Sequence, residues 1–92
     1  HIAAVFACNF SNYMWSIAYD LLAKHNIPFD VLAPLLRETL DKALKMPPHD
    51  GQTGPARRCD IRIIEAHAAS LPEKERELYR LISKNIMESY EN

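Results

Sequence analysis

Apolar positions in the first quarter of the chain follow a helical repeat. Phe10, Met14, Ile17, Ala18 and Leu21 are spaced four, three, one and three apart, which predicts one face of a helix running from Ile2 to about Lys24. The opening of that helix differs from the rest. Ile2 to Cys8 is an unbroken apolar run, the pattern of a helix enclosed on every side. Polar residues Asn9, Asn12, Ser16 and Asp20 gather on one side, and the first three are small and uncharged where a solvent face would carry Lys and Glu. Two readings stand for that seam: a polar strip satisfied by neighbouring helices, or a wall of a ligand cleft or subunit interface.

Pro28 stops the first helix, and Asp30 is placed to cap a second by accepting a hydrogen bond from a free first-turn amide. Leu32, Leu35, Leu36, Leu40, Ala43 and Leu44 form its expected inner stripe. Pro34 is tolerated because it falls within the first turn. Glu38 with Lys42 and Asp41 with Lys45 are four apart in the favourable order for helix-surface ion pairs. From Met46 to Pro55 the chain holds three of its six prolines and both of its glycines, so the sequence predicts one long irregular loop there. A long ordered loop in a helical domain calls for a functional or docking reason. Pro55 suits the first position of a short turn carrying Arg57 and Arg58. Asp60 then caps a third helix with Ile61, Ile64, Ala68 and Leu71 inward. Pro72, followed by Glu73 and Glu75 in a first turn whose dipole favours carboxylates, opens a fourth. Its core stripe is Leu78, Ile82 and Ile86, joined by Tyr79, Met87 and Tyr90.

The expected fold is therefore all-α, four main helices and one long Pro/Gly loop in a single domain over residues 1–92. Composition reinforces this. The two glycines, Gly51 and Gly54, lie together, whereas β-rich domains spread turn glycines along the chain. Eleven basic against twelve acidic residues give a net charge of −1, which argues against a nucleic-acid or anionic-membrane binder driven by bulk charge. The longest apolar run is seven residues, short of the roughly 18 to 20 that span a bilayer. No basic region precedes it and no small-residue cleavage site follows, so it does not read as a signal peptide. Cys8 and Cys59 cannot make a disulfide framework; one bridge between them is conceivable, but free thiols in a reducing cytoplasm are the simpler reading.

Metal chemistry finds little footing. His1, His25, His49 and His67 form no i, i+4 pair, and the cysteines form no closely spaced pair, so no metal site is predicted. Cys8 sits in an apolar helix, which disfavours a thiolate nucleophile, and Cys59 has only the adjacent Arg58 to lower its pKa. The most informative segment is Thr53-Gly54-Pro55-Ala56-Arg57-Arg58. A hydroxyl, a glycine permitting close backbone approach, free turn amides and two guanidinium groups suit a carboxylate or phosphate. The plainer reading is that Thr53 and Gly54 shape the turn while the arginines face water or pair with Glu65 or Asp60.

The opening His1-Ile2-Ala3-Ala4-Val5-Phe6-Ala7-Cys8-Asn9-Phe10, the Pro-rich loop, and Thr53 to Asp60 followed by Ile64, Glu65 and His67 are similar to a C-terminal helical domain of unknown function, of the 2520 type. That domain follows a Rossmann-like domain in a set of bacterial proteins that resemble pyrroline-5-carboxylate reductase, ketopantoate reductase and the C-terminal domain of 6-phosphogluconate dehydrogenase. The resemblance covers nearly the whole chain. Cys59 stands where the pattern expects Gly, while Asp60 keeps the cap. The resemblance implies that an N-terminal Rossmann-like domain of the same parent holds NAD(P) on a GxGxxG turn, and that this domain closes the cleft and forms a homodimer. No GxGxxG occurs here, so no cofactor-binding or catalytic residue is assigned to this chain, and none of its residues alone performs hydride transfer. By the same implication Asn9, Asn12, Thr53, Gly54 and Arg57 are the substrate-binding residues, in a cytoplasmic protein. The competing reading is a free-standing α-helical interaction module whose first helix docks a partner.

Overall fold

The computed structural model describes residues 1–91. Among the described residues it is all-helical, with the four main helices expected and no strand. The chain divides into two compact units, His1–Lys45 and the residues from Met46 onward.

In the first unit, helix α1 covers residues 2–23, but it is not uniform. Ile2–Ala4 is α-helical, Val5–Phe10 winds into a wider π-helical turn, and Ser11–Ala23 returns to α. The helix ends in a Schellman motif. The amide of Asn26 donates to the Ala23 carbonyl at 3.0 Å and that of Ile27 to the Leu22 carbonyl at 3.0 Å, with Asn26 in the left-handed region at φ 58°. Asn is one of the few residues besides Gly that accepts this conformation readily. Pro28 follows in an extended conformation and leads into a 3₁₀ turn, Phe29–Leu32. Helix α2 is Ala33–Lys45.

Asp30 does not cap α2 as the sequence suggested. It lies inside the 3₁₀ turn, its side chain accepts no capping bond, and Pro28 occupies the cap position. Nor do the expected Glu38–Lys42 and Asp41–Lys45 pairs form. Ion pairs among the described residues are Arg80–Glu65 and Lys84–Glu88, both in the second unit. An exposed i, i+4 pair contributes only about 0.3 to 0.5 kcal/mol, so α2 loses little by lacking them.

The α2 stripe is also not an inner one. Leu35 and Leu40 are 58% exposed and Leu44 77%, while Leu32 and Leu36 are half-buried. Lys42 and Lys45 nevertheless complement the negative end of the α2 dipole.

The second unit is built differently. Part of the Pro/Gly stretch is regular after all: Pro48–Gly51 is a 3₁₀ turn, started by a bond from the Asp50 amide to the Pro47 carbonyl at 2.9 Å. Helix α3, Ile61–Ala69, carries the expected Asp60 cap, with the Ile63 amide 3.4 Å from Oδ1. Helix α4, Glu73–Ser89, opens after Pro72 with Glu73 and Glu75 in its first turn. Helices α3 and α4 pack on each other. The most buried residues here are small or β-branched: Ala56, Ile64 and Ala68, with Ser83. Ile61, expected inward, is 54% exposed, and Tyr90 caps α4 instead of extending its stripe.

Candidate functional site

The five candidate residues fall in the two units as two groups. Asn9 sits in the π turn of α1 and Asn12 one turn later; both are exposed, and the amides line one side of the helix with Ser16. Thr53, Gly54 and Arg57 belong to the turn between Pro48–Gly51 and α3 in the second unit.

That turn is shaped by backbone conformation. Gly54 adopts φ +103°, and a Cβ added there would meet nothing within 4 Å, so glycine is required by the torsion and not by space. Thr53 is exposed, and its carbonyl accepts from the Gln52 side-chain amide at 3.1 Å. The turn closes in a second Schellman motif: the Cys59 amide donates to the Ala56 carbonyl at 3.1 Å and the Asp60 amide to the Pro55 carbonyl at 2.9 Å. Cys59 occupies the left-handed position with φ 54°. Glycine is the expected residue there for a physical reason, since a Cβ is penalised at that torsion. Ala56 is buried beneath the turn, which fixes it against the unit.

Arg57 takes neither of the partners the sequence offered. Glu65 is held by Arg80 at 2.9 Å, and Arg57 instead lays its guanidinium 3.9 Å from the centre of the Tyr90 ring. Tyr90 also stacks on His49, ring centres 4.1 Å apart and planes within 12°, and its hydroxyl donates to the His49 carbonyl. One aromatic residue at the end of α4 thus binds the loop through His49 and orients Arg57. The sequence reading counted Tyr90 as part of a helical stripe; its only signal was an aromatic residue at the helix terminus. An arginine stacked on a ring keeps its N–H edge available while losing freedom, a preorganised state for an anion.

A separate polar group ties α3 to α4. Arg76 Nε donates to the Ala68 carbonyl at 2.8 Å and Nη2 to the Leu71 carbonyl at 2.7 Å, so one guanidinium braces the end of α3, where the Ala68 carbonyl also accepts from the Leu71 amide at 3.1 Å. Tyr79 hydroxyl and His67 Nδ1 are 2.8 Å apart, and desolvation raises the Tyr79 pKa.

In the first unit a cleft of about 370 Å³ is lined by Tyr19, Ala23, Ile27, Pro28, Phe29 and Asp30. Cys8 and Cys59 are free and exposed. Among the described residues no three His, Cys, Asp or Glu side chains gather into a metal site, and no helix is long and apolar enough to cross a membrane.

The chain belongs to the family described as a domain of unknown function (DUF2520), which matches residues 1–86. It is also similar to the crystal structure of a Bacteroides fragilis protein named a "putative NADP oxidoreductase", with 46% identity and a TM-score of 0.91 over 96% of this chain. The chain spans 35% of that protein's length. Comparison with curated proteins gives no match.

Proposed function

We propose that this chain is the dimerisation and substrate-cleft domain of an NADP-dependent oxidoreductase, and that it is not catalytic alone. The observation that carries the reading is the 46% identity and TM-score of 0.91 to about a third of a protein named for NADP oxidoreduction. The residues of this chain do not fit a dinucleotide. Its two glycines flank a turn between helical segments, and no strand precedes them, so the strand, glycine-rich turn and helix that receive a pyrophosphate are not built here. In this proposal an N-terminal Rossmann-like domain of the parent binds NADP, and this domain closes over the substrate. The free thiols of Cys8 and Cys59 suit a cytoplasmic protein.

In the first unit Asn9 and Asn12 offer amide donors and acceptors suited to a carbonyl or imine, and in the second Thr53, Gly54 and Arg57 suit an anionic group. Support for the second role comes from Tyr90, which holds the Arg57 guanidinium in place without neutralising it. Support for dimerisation comes from the apolar side chains of the first unit left in solvent, led by Leu44 at 77%, Ile2 at 74% and Phe6 at 65%.

The test is a thermal-shift titration of the full-length protein with NADPH, NADH and small keto, hydroxy and imino acids. NADPH is expected to raise the melting temperature of the full-length protein and to leave residues 1–92 alone unchanged, because only a bound ligand stabilises by mass action. A full-length protein indifferent to both dinucleotides would overturn the reading. Arg57→Ala in the full-length protein is expected to weaken an acidic ligand by about 1.5 to 3 kcal/mol, the range for a charge-assisted bond, measured by calorimetry. Unchanged affinity would return Arg57 to a purely structural role on Tyr90.

A further inference from the structure

Helix α1 contains a feature that neither its sequence nor the proposed function explains. The π turn at Val5–Phe10 is a costly and rare winding, and no Gly or Pro within residues 2–23 forces it. Its effect is seen by following the apolar residues Ile2, Phe6, Phe10 and Met14, which are spaced four apart three times in succession. In a regular α-helix four residues overshoot a turn by about 40°, so three such steps would carry the line about 120° around the helix. A wider turn with i→i+5 bonds reverses the sign of the error, because four residues fall short of it. The π segment therefore brings Ile2 and Phe6 back into line with Phe10, Met14, Ile17 and Leu21. The edge-to-face contact of the Phe6 and Phe10 rings, 5.0 Å between centres, lies on this line.

The aligned line is open to solvent at its start. Exposure falls along it from 74% at Ile2 and 65% at Phe6 to 47% at Phe10, and Met14 and Ile17 are half-buried. We propose that the π turn phases the start of α1 so that the helix presents one continuous apolar seam to a second copy of this chain. This rests on the dimerisation part of the proposed function.

Charge argues for a second copy as the occupant. A twofold contact sets a patch against itself, so any charge on it would meet its own like. Residues 2–19 carry no charged side chain, and the seam is flanked on one side by Asn9 and Ser16, whose groups both donate and accept and so can pair with their own copies. Ile2, Phe6, Phe10, Tyr13 and Leu21 are 74%, 65%, 47%, 45% and 38% exposed, which for large apolar residues of about 200 Å² each leaves on the order of 500 Å² for a partner to cover. Doubled across a twofold axis this is about 1,000 Å², the lower bound for a specific interface.

Two exposed positions separate the π phase from an α phase. With the π turn Ile2 lies on the seam and Ala3 about a quarter-turn off it; without the turn Ala3 would take the centre and Ile2 would leave it. The measurement is the dimer dissociation constant of the full-length protein by sedimentation equilibrium, with helix content followed by circular dichroism. Ile2→Ser is expected to raise the constant by at least about tenfold, from loss of a largely exposed isoleucine on both sides of the axis, while Ala3→Gln changes it by no more than about threefold. A wild-type protein that is monomeric at every concentration overturns both this inference and the dimerisation reading. A wild-type dimer in which Ala3→Gln weakens association as much as Ile2→Ser, or in which Ile2→Ser has no effect, overturns the phasing alone.

Discussion

The two units of this chain satisfy their side chains in opposite ways. From Met46 onward several side chains are paired within the unit: Arg76 closes the end of α3, Arg80 holds Glu65, Tyr79 meets His67, and Tyr90 ties His49 and Arg57, while Glu75 Oε2 is buried without a partner. Residues 1–45 have little of this. Their side-chain hydrogen bonds among the described residues are local, such as Thr39 to the Leu35 carbonyl at 2.9 Å, and their apolar stripes face solvent. The second unit pairs these side chains and buries Ile64 and Ala68, although Leu81 at 56% and Ile61 at 54% stay in solvent. The first unit leaves Leu35, Leu40 and Leu44 more than half exposed, apolar surface of the kind that marks interaction sites.

The sharpest way to break this comparison is to remove one buried and one exposed apolar side chain. Ile64, 3% exposed, packs within the second unit, and Ile64→Ala is expected to cost about 2 to 4 kcal/mol in denaturant unfolding at any protein concentration. Leu44→Ala is expected to cost less than about 0.5 kcal/mol once the protein is diluted to monomer, because the residue is already in water. A Leu44 penalty as large as that of Ile64 at all dilutions would mean that α2 is covered by its own chain.

Next in size is Arg76→Ala. It strips two part-buried, charge-assisted bonds from the carbonyls of Ala68 and Leu71, and the expected loss is about 1.5 to 3 kcal/mol in the same assay. Arg76→Lys is expected to recover little, because a point ammonium cannot span both carbonyls as the planar guanidinium does. Full recovery by lysine would show that charge alone, and not the two-pronged geometry, closes the end of α3.

Much of the fold was legible because helical spacing and terminal residues act locally. The presence of four main helices, the Asp60 cap and the Pro72 opening needed only neighbours within a turn or two. Three features were not legible, each for its own reason. The Asp30 cap failed because Pro28 and Phe29 already direct the backbone into a 3₁₀ turn. The π turn escaped notice because a four-residue spacing also suits an α-helix over one or two steps, and the discrepancy accumulates only over three. Tyr90 was missed because its partner His49 is 41 residues away, and stacking of that kind is decided by tertiary placement. Within the candidate site, the shape of the Thr53–Asp60 turn was readable from Gly54 and Pro55, whereas the partner of Arg57 was not.

The smallest expected effects sharpen the comparison further, because both units use the same terminating motif with a different residue at its left-handed position. Cys59 at φ 54° and Asn26 at φ 58° stand at equivalent places in two Schellman motifs. Asn tolerates that torsion through local hydrogen bonding by its side chain, whereas Cys bears the full Cβ penalty. Cys59→Gly is therefore expected to stabilise the second unit by about 0.5 to 1 kcal/mol, and Asn26→Gly to change the first by only a few tenths of a kcal/mol. Thermal unfolding of the two variants measures both. Equal gains would show that the two turns carry equal strain and that Asn26 has no advantage over Cys59. A loss at Cys59→Gly would show instead that the exposed thiol contributes more to the turn than its backbone strain costs.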